Sequence, residues 1–375
     1  MTEALREIPL SRPWLDEREE ELVLEVLRSG RLSLGPWIER FEHEIAERVD
    51  APYAAAVSSG TAGLHLLCRI AGLGPGDEVI TSPLSFVASA NCFIVEGATP
   101  VFADVDPVTL NMDPAAVEAA ITARTRAIVA VDMFGFPCDL DELRAIAERH
   151  GLALIEDACE SLGAEYRGLP LGSHGPSAVF AFYPNKQMAT GEGGVVVTHS
   201  EEEWRLLCSL RNQGRSYDGG GGWFHHVRLG LNYRWTDVQA AIGLAQLEKL
   251  DRILELRGAA AARYGELLVD VDGVEAPAPD DADRRRSWFV YVVKLDGSID
   301  RAAVMNSLRR EGVATAEYVP CIHLQPYMRE RFGFAEGLCP VAEETAWRTL
   351  ALPFFTQIEA GDQERVVDVL RNACT

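Results

Sequence analysis

The order of apolar runs in this 375-residue chain predicts an α/β fold: a large domain built on a mostly parallel central sheet, then a smaller α+β domain. Three observations carry that expectation. From about residue 53 to residue 157, short apolar runs alternate with stretches of helical period. Near residue 177 the alternation stops, and two strand-like runs follow one another without a helix between them. The Pro/Asp-rich segment EAPAPDDADRRR (275–286) reads as a loop between lobes. The expected division is residues 1–250 for an N-terminal arm with the large domain and 251–375 for the small domain.

The elements follow in order. DEREEELVLEVLRSG (16–30) and GPWIERFEHEIAERV (35–49) are amphipathic helices, the first closed by Gly30. Strands YAAAVS (53–58), EVIT (78–81), PVFADV (100–105), AIVAVDMF (127–134) and LALIED (152–157) come next. Helical stretches beginning GTAGLHLL, SFVASAN, PAAVEAAI and DLDELRAIAERHG separate them. Such continuously apolar strands fit a sheet covered on both faces, with function at the strands' carboxyl ends. SAVFAFY (177–183) and GGVVVT (193–198) are the two consecutive strands. Residues 236–268 form a long helical pattern with Gly258 as its expected interruption. SWFVYVVKLDG (287–297) is a strand, and DRAAVMNSLRREG (300–312) and GDQERVVDVLRNA (361–373) are helices.

Composition narrows the function. With 35 basic against 57 acidic residues and a formal charge of -22, the field repels polyanions, so nucleic acid is not an expected partner. The eight cysteines have no CxxC or metal-finger spacing, which fits reduced thiols in a cytoplasmic protein. The first residues lack a signal-peptide core, and no apolar run approaches the roughly 20 residues of a membrane helix. No P-loop, dinucleotide fingerprint, HExxH or GxSxG motif is present. His225 and His226, after the run GGGG (219–222), have no companion ligands at a recognisable spacing, so no metal site is expected.

Lysine usage points to chemistry. The chain has only three lysines, at 186, 249 and 294. Lys249 and Lys294 read as solvent-facing. Lys186 ends an apolar strand and precedes glycines in FAFYPNKQMATGEGG (180–194), where a partly desolvated amine could form a Schiff base with a carbonyl or with pyridoxal phosphate. Such a cofactor also needs an anion cradle, an acid at its ring nitrogen and an aromatic face. SSGTAG (58–63) follows a strand and opens a helix, so the N–H groups of Gly60, Thr61 and Ala62 face outward at a helix N-terminus. The alternative is a simple Ser N-cap. Asp157 ends a buried strand, where it would hold a pyridinium or merely cap a turn. Phe86, in SPLSFVASAN, would stack on a ring or fill the core. The four features fall in order at successive strand ends.

At this point the sequence resembles a known family. SSGTAGLHL, SFVASAN, PVFADVD, EDACESLGAEYRG, FAFYPNKQMATGEGGVVVT, LRNQGR, LGLNYRWTDVQAAIGLAQLEKLD and the late ALP are similar, in the same order, to the DegT/StrS sugar-nucleotide aminotransferases. The resemblance runs from about residue 8 to 370. It implies fold type I, the aspartate-aminotransferase-like fold of pyridoxal 5′-phosphate (PLP) enzymes, with pyridoxamine 5′-phosphate as the intermediate form.

The resemblance also implies roles. Lys186 would carry PLP as a Schiff base and shuttle a proton. Asp157 would pair with the pyridine nitrogen, and Phe86 would stack on the ring. Ser59, Gly60, Thr61 and Ala62 would cradle the phosphate, and Asn232 would reach the cofactor of the partner subunit in a homodimer. Glu160 stands where the family contacts the ring face or O3′, a position commonly Gln or His. Ala181 replaces a phosphate-binding Ser common in the family, a loss that Ser58, Ser59 or a water would offset. Arg234 is the substrate candidate that the family pattern gives; Tyr318 and His323, in the segment 318–330, would touch the sugar nucleotide or serve packing. The expected reaction moves an amino group from L-glutamate, or another amino acid, to a keto carbon of a nucleotide-linked deoxysugar. The alternatives are a PLP-dependent sugar dehydratase, a cyclitol aminotransferase and a catalytically silent scaffold.

Overall fold

A computed structural model of the chain describes residues 6–374. Thirteen strands and the helices between them assemble around one large sheet. The helix Glu17–Ser29 shows why the sequence starts and stops where it does. Asp16 accepts from the Arg18 N–H while Glu19 returns a bond to the Asp16 N–H, and Gly30, at φ 71°, ends the helix in the left-handed region that glycine tolerates best. Its buried face, Leu22 and Val26, packs on the helix Asp237–Glu248.

Seven strands form the main sheet: β1 (Tyr53–Val57), β2 (Glu78–Thr81), β3 (Thr99–Phe102), β4 (Thr125–Val131), β5 (Ala153–Asp157), β8 (Ser177–Ala181) and β9 (Gly194–Thr198). Their spatial order is β1-β9-β8-β5-β4-β2-β3, and β9 alone runs antiparallel to its neighbours. The fold is therefore α/β with a mostly parallel sheet, as the apolar runs predicted. All seven strands match their sequence expectations, with ends shifted by a few residues. Two small ribbons, β6 (Glu165–Tyr166) and β7 (Leu169–Pro170), leave the body, and β11 (Arg284–Arg285) pairs with β6. The segment 275–286 is thus partly a strand on the large body and not wholly a loop.

Helices cover both faces of the sheet. Val196 and Val179 on one face and Val195 and Ala178 on the other enter two separate apolar clusters. A third cluster joins β12 (Tyr291–Leu295) and β13 (Thr349–Leu352), paired along with β10 (Val274–Glu275), to the helices Leu250–Leu268, Arg301–Arg310 and Ala360–Cys374. Ile8 belongs to this last cluster and bridges to Val313.

Two expectations change. The long helical pattern breaks at Lys249, between Asp237–Glu248 and Leu250–Leu268, and runs unbroken through Gly258. The reason is an ion-pair anchor: Lys249 Nζ lies 2.8 Å from Asp16 Oδ2 and 2.7 Å from Glu19 Oε1, which pulls the backbone out of helical geometry at φ −114°, ψ 9°. Lys249 is consequently mostly covered rather than solvent-facing. Lys294 is also mostly covered, its amine 3.1 Å from the Pro107 carbonyl.

Candidate active site

Because six of the seven strands run the same way, the loops after β1, β2, β4, β5 and β8 leave one edge of the sheet. Segments 58–62, 82–86, 132–136, 157–160 and 182–187 therefore meet there. β9 enters at the same edge, with Gly194 opposite both Val57 and Ala181. A Cβ on Gly194 would stand 2.7 Å from the Gly60 nitrogen, so only glycine lets the two backbones pass.

The helix Gly60–Ile70 begins with Ser59 as its N-cap, whose Oγ accepts from the Ala62 N–H at 3.1 Å. The serine caps, and the Gly60 and Thr61 N–H groups have no acceptor inside the helix. The Ala62 N–H is spent on Ser59 Oγ, whose own hydroxyl hydrogen is left to donate. A Cβ on Gly60 would lie 2.7 Å from Cys159 Sγ and 2.9 Å from Ala181 Cβ. Ala181 therefore sits directly beside the cradle.

Asp157 is buried at 6% exposure. Its Oδ2 accepts from Ser89 Oγ at 2.7 Å, Ser89 meets Ser85 Oγ at 2.7 Å, and Oδ1 accepts from the Cys159 N–H at 3.3 Å. Phe86 is 66% exposed, so it is no core residue; its ring is free to face a ligand.

Lys186 Nζ lies 3.5 Å from Glu160 Oε1 and 4.0 Å from the centre of the Phe289 ring. Glu160 is held on three sides. Its other oxygen accepts from the Phe134 N–H at 3.1 Å, and its backbone carbonyl accepts from Gln187 Nε2 at 2.6 Å. Burial raises the Glu160 carboxyl above its ordinary range, and the Lys186 ammonium pulls it back. Phe134 donates from a strained left-handed backbone, φ 55°. Asn111 fastens that turn: its Oδ1 accepts from the Met133 N–H, and its Nδ2 donates to the Phe136 and Pro137 carbonyls. Gln187 Nε2 also donates to Ser287 Oγ at 2.9 Å, which ties the lysine loop to the segment carrying Phe289. Arg257, buried without a carboxylate partner and held down to about 9 by desolvation, grips the Trp288 and Phe289 carbonyls of that segment.

Of the other candidates, Tyr318 joins the site. Asn185 Nδ2 donates to its hydroxyl at 3.4 Å, and its ring lies 5.9 Å from Phe134 and 6.2 Å from Phe289. Burial, then the neighbouring Glu160, raises its phenol above the ordinary range. His323 is fully buried, with Nε2 2.9 Å from Glu343 Oε1 and its ring beside Phe102, a packing position.

Asn232 is exposed, and Arg234 Nη1 donates to Asn212 Oδ1 at 3.2 Å; no hydrogen bond or ion pair links either to Lys186 among the described residues. Arg234 lines a cavity of about 300 Å³ with Arg211, Asn212 and Arg215, and burial next to Arg215 lowers its pKa. A larger cavity of about 470 Å³ lies along Glu201, Arg205, Tyr217 and Arg228. Neither includes Lys186, whose N–H donates to the carbonyl of the exposed Tyr183. His225 and His226 are exposed, each with Nδ1 on a backbone carbonyl.

Phe134, Asn185, Gln187, Ser89 and Phe289 were missed from sequence. For Asn185 and Gln187 adjacency to Lys186 was a usable signal. Phe289, about a hundred residues downstream, carried none.

The residues present fit PLP: an amine, a buried carboxylate with its donors, a free aromatic face and a glycine-lined helix N-terminus. The comparisons agree. The DegT/DnrJ/EryC1/StrS aminotransferase family matches residues 13–371. The chain is 39% identical to the spore coat polysaccharide biosynthesis protein SpsC of Bacillus subtilis, across 97% of this chain and 96% of that one. The structure of S. venezuelae DesV with a ketimine intermediate superposes with a TM-score of 0.90 at 34% identity, covering 98% of both chains. A Streptococcus pneumoniae chain known in PLP and PMP forms superposes with a TM-score of 0.93 at 26% identity, covering 98% of this chain and 99% of that one. The chain therefore belongs to the DegT/DnrJ/EryC1/StrS family as a PLP-dependent sugar aminotransferase.

Proposed function

We propose that the chain moves an amino group from L-glutamate to a keto carbon of a nucleotide-linked deoxysugar, in a site completed by a second copy of itself. The observation that carries this reading is the convergence of Lys186, Asp157, Glu160 and the Gly60 helix end at one sheet edge. PLP, when bound, supplies an aldehyde that receives the amino group and a ring that spreads negative charge from the substrate carbon. The chain's own residues do the rest. The Lys186 amine holds the cofactor and then moves a proton at the substrate carbon. Asp157, which accepts from Ser89, would pair with the ring nitrogen. The Gly60 and Thr61 N–H groups would bind the phosphate, Phe86 would cover one ring face and Glu160 would contact the ring face or O3′.

Exposed apolar side chains support a shared site. Trp223, Phe224 and Leu229, on the loop leading to Asn232, are 58%, 86% and 76% exposed, apolar surface suited to a partner. Asn232 would reach the partner's phosphate site, and Arg234 would meet a substrate carboxylate. Similarity to a polysaccharide-biosynthesis protein and to DesV supports a sugar acceptor. The division into a body through residue 250 and a lobe from 251 rests on the third apolar cluster, which also takes in Ile8. Eight free cysteines support a cytoplasmic home.

The test is the visible absorbance of the PLP-loaded protein, before and after L-glutamate, alongside Lys186→Ala. The expected result is a band that depends on Lys186, converts with glutamate and returns with a nucleotide-linked keto-sugar. A wild-type band that glutamate leaves unchanged would reject the donor; one that no keto-sugar restores would reject the acceptor.

A further inference from the structure

We propose that Asn185 and Tyr318 together read a hydroxyl group on the acceptor sugar; this rests on the sugar aminotransferase reading above. Asn185 Oδ1 is buried and has no hydrogen-bond partner among the described residues, although it immediately precedes Lys186. A buried amide oxygen left unpaired is unfavourable, so a ligand donor is the partner it lacks. The other end of the same amide is engaged, since Nδ2 donates to the Tyr318 oxygen at 3.4 Å. That bond makes the Tyr318 oxygen an acceptor and leaves the phenolic hydrogen free to donate. Side by side, then, stand one free acceptor and one free donor. Phe134 and Phe289 flank the Tyr318 ring at 5.9 and 6.2 Å, and Phe289 also covers the Lys186 amine at 4.0 Å. The pair therefore stands beside the reacting nitrogen.

Ligand chemistry follows from this polarity. A hydroxyl gives its hydrogen to Asn185 Oδ1 and takes one from Tyr318, satisfying both. A carboxylate only accepts, so it would face Oδ1 with like partial charge, and an ammonium only donates, leaving the Tyr318 hydrogen unmet. The amino-acid donor's amine is the group transferred and is engaged at the cofactor, which leaves only its carboxylate to face the pair. The sugar offers a hydroxyl next to its ketone. The pair thus favours the acceptor and contributes little to the donor.

The experiment separates the two half-reactions of the PLP-loaded enzyme and its Asn185→Ala variant by absorbance. The donor half uses L-glutamate. The acceptor half starts from the pyridoxamine form and uses a thymidine-diphosphate-linked 4-keto-6-deoxyhexose, then the same compound lacking the hydroxyl next to the ketone. The expected result is an acceptor KM raised about tenfold or more in Asn185→Ala, with the donor half within about twofold of wild type. Discrimination between the two sugars should be present in wild type and lost in the variant, and Tyr318→Phe should reduce it. Equal slowing of both halves, or wild-type indifference to the missing hydroxyl, overturns the proposal. If wild type completes the donor half but takes an amine to neither sugar, the sugar-acceptor reading fails and this inference falls with it.

Discussion

Residues 156 and 157 are neighbours on one strand, yet they meet opposite faces of the sheet and opposite electrostatic fates. Asp157 faces the cluster that holds the helix Ala88–Ile94, where Ser89 and the Cys159 N–H donate to it. Glu156 faces the other side, fully buried, with neither carboxyl oxygen bonded except through its contact with the buried Asp132. Desolvation and Asp132 push Glu156 well above its ordinary range, and desolvation pushes Asp132 up to about 6 although Cys138 N–H and Ser161 Oγ donate to it. The lesson is that neighbouring buried carboxyls can meet unlike surroundings: Asp157 accepts from a serine and a backbone N–H, while Glu156 faces a second buried carboxyl and is left to hold its proton.

The sharpest way to break this comparison is to replace the Asp157 carboxyl. Asp157→Asn should lower the rate of amino transfer by about 10²- to 10⁴-fold, measured as kcat/KM, with the fold retained by circular dichroism. On the Glu156 face the same exchange should cost nothing catalytically. Glu156 has its pKa raised in the folded chain, so its stabilising protonation is complete below the unfolded value near 4.5 and is lost as pH climbs through the raised value. Glu156→Gln, a neutral mimic, should match wild type in urea unfolding at pH 4 and exceed it by about 1–3 kcal/mol at pH 8. Equal stability at both pH values would show that Glu156 carries no bound proton.

Ser89→Ala tests the serine's bond to Asp157. Removing one charge-assisted bond from Asp157 should reduce kcat about tenfold, less than Asp157→Asn, and leave urea stability within about 2 kcal/mol of wild type. The smallest effect belongs to the cradle. Ala181→Ser adds a hydroxyl beside Gly60 and should slow PLP loss on dialysis by about tenfold or less. No change would mean that position 181 does not reach the phosphate.

How much of this was legible in the sequence differs by kind. The seven strands were readable because each is short, apolar and punctuated, and the order of cradle, aromatic, acid and lysine was readable because parallel strands bring their ends together. Asp157 was legible as the end of such a strand. The fate of Glu156 was not, since its partner Asp132 comes from a different strand and the face assignment depends on register. His323 was misjudged because a histidine in a loop reads the same whether it meets solvent or a buried Glu343. The helix break at Lys249 escaped because its cause, Asp16 and Glu19, lies more than 200 residues upstream. Glycine was the local signal, and the distant ion pairs overrode it.

Gln187 grips Ser287 and the Glu160 carbonyl with one amide group, next to the lysine. Arg257, from a helix of the C-terminal lobe, holds the carbonyls that follow Ser287. The Ser287–Phe289 segment, the acid's loop and the lysine's loop are therefore fastened to one another, and the ring at the end of that chain of bonds lies against the Lys186 nitrogen.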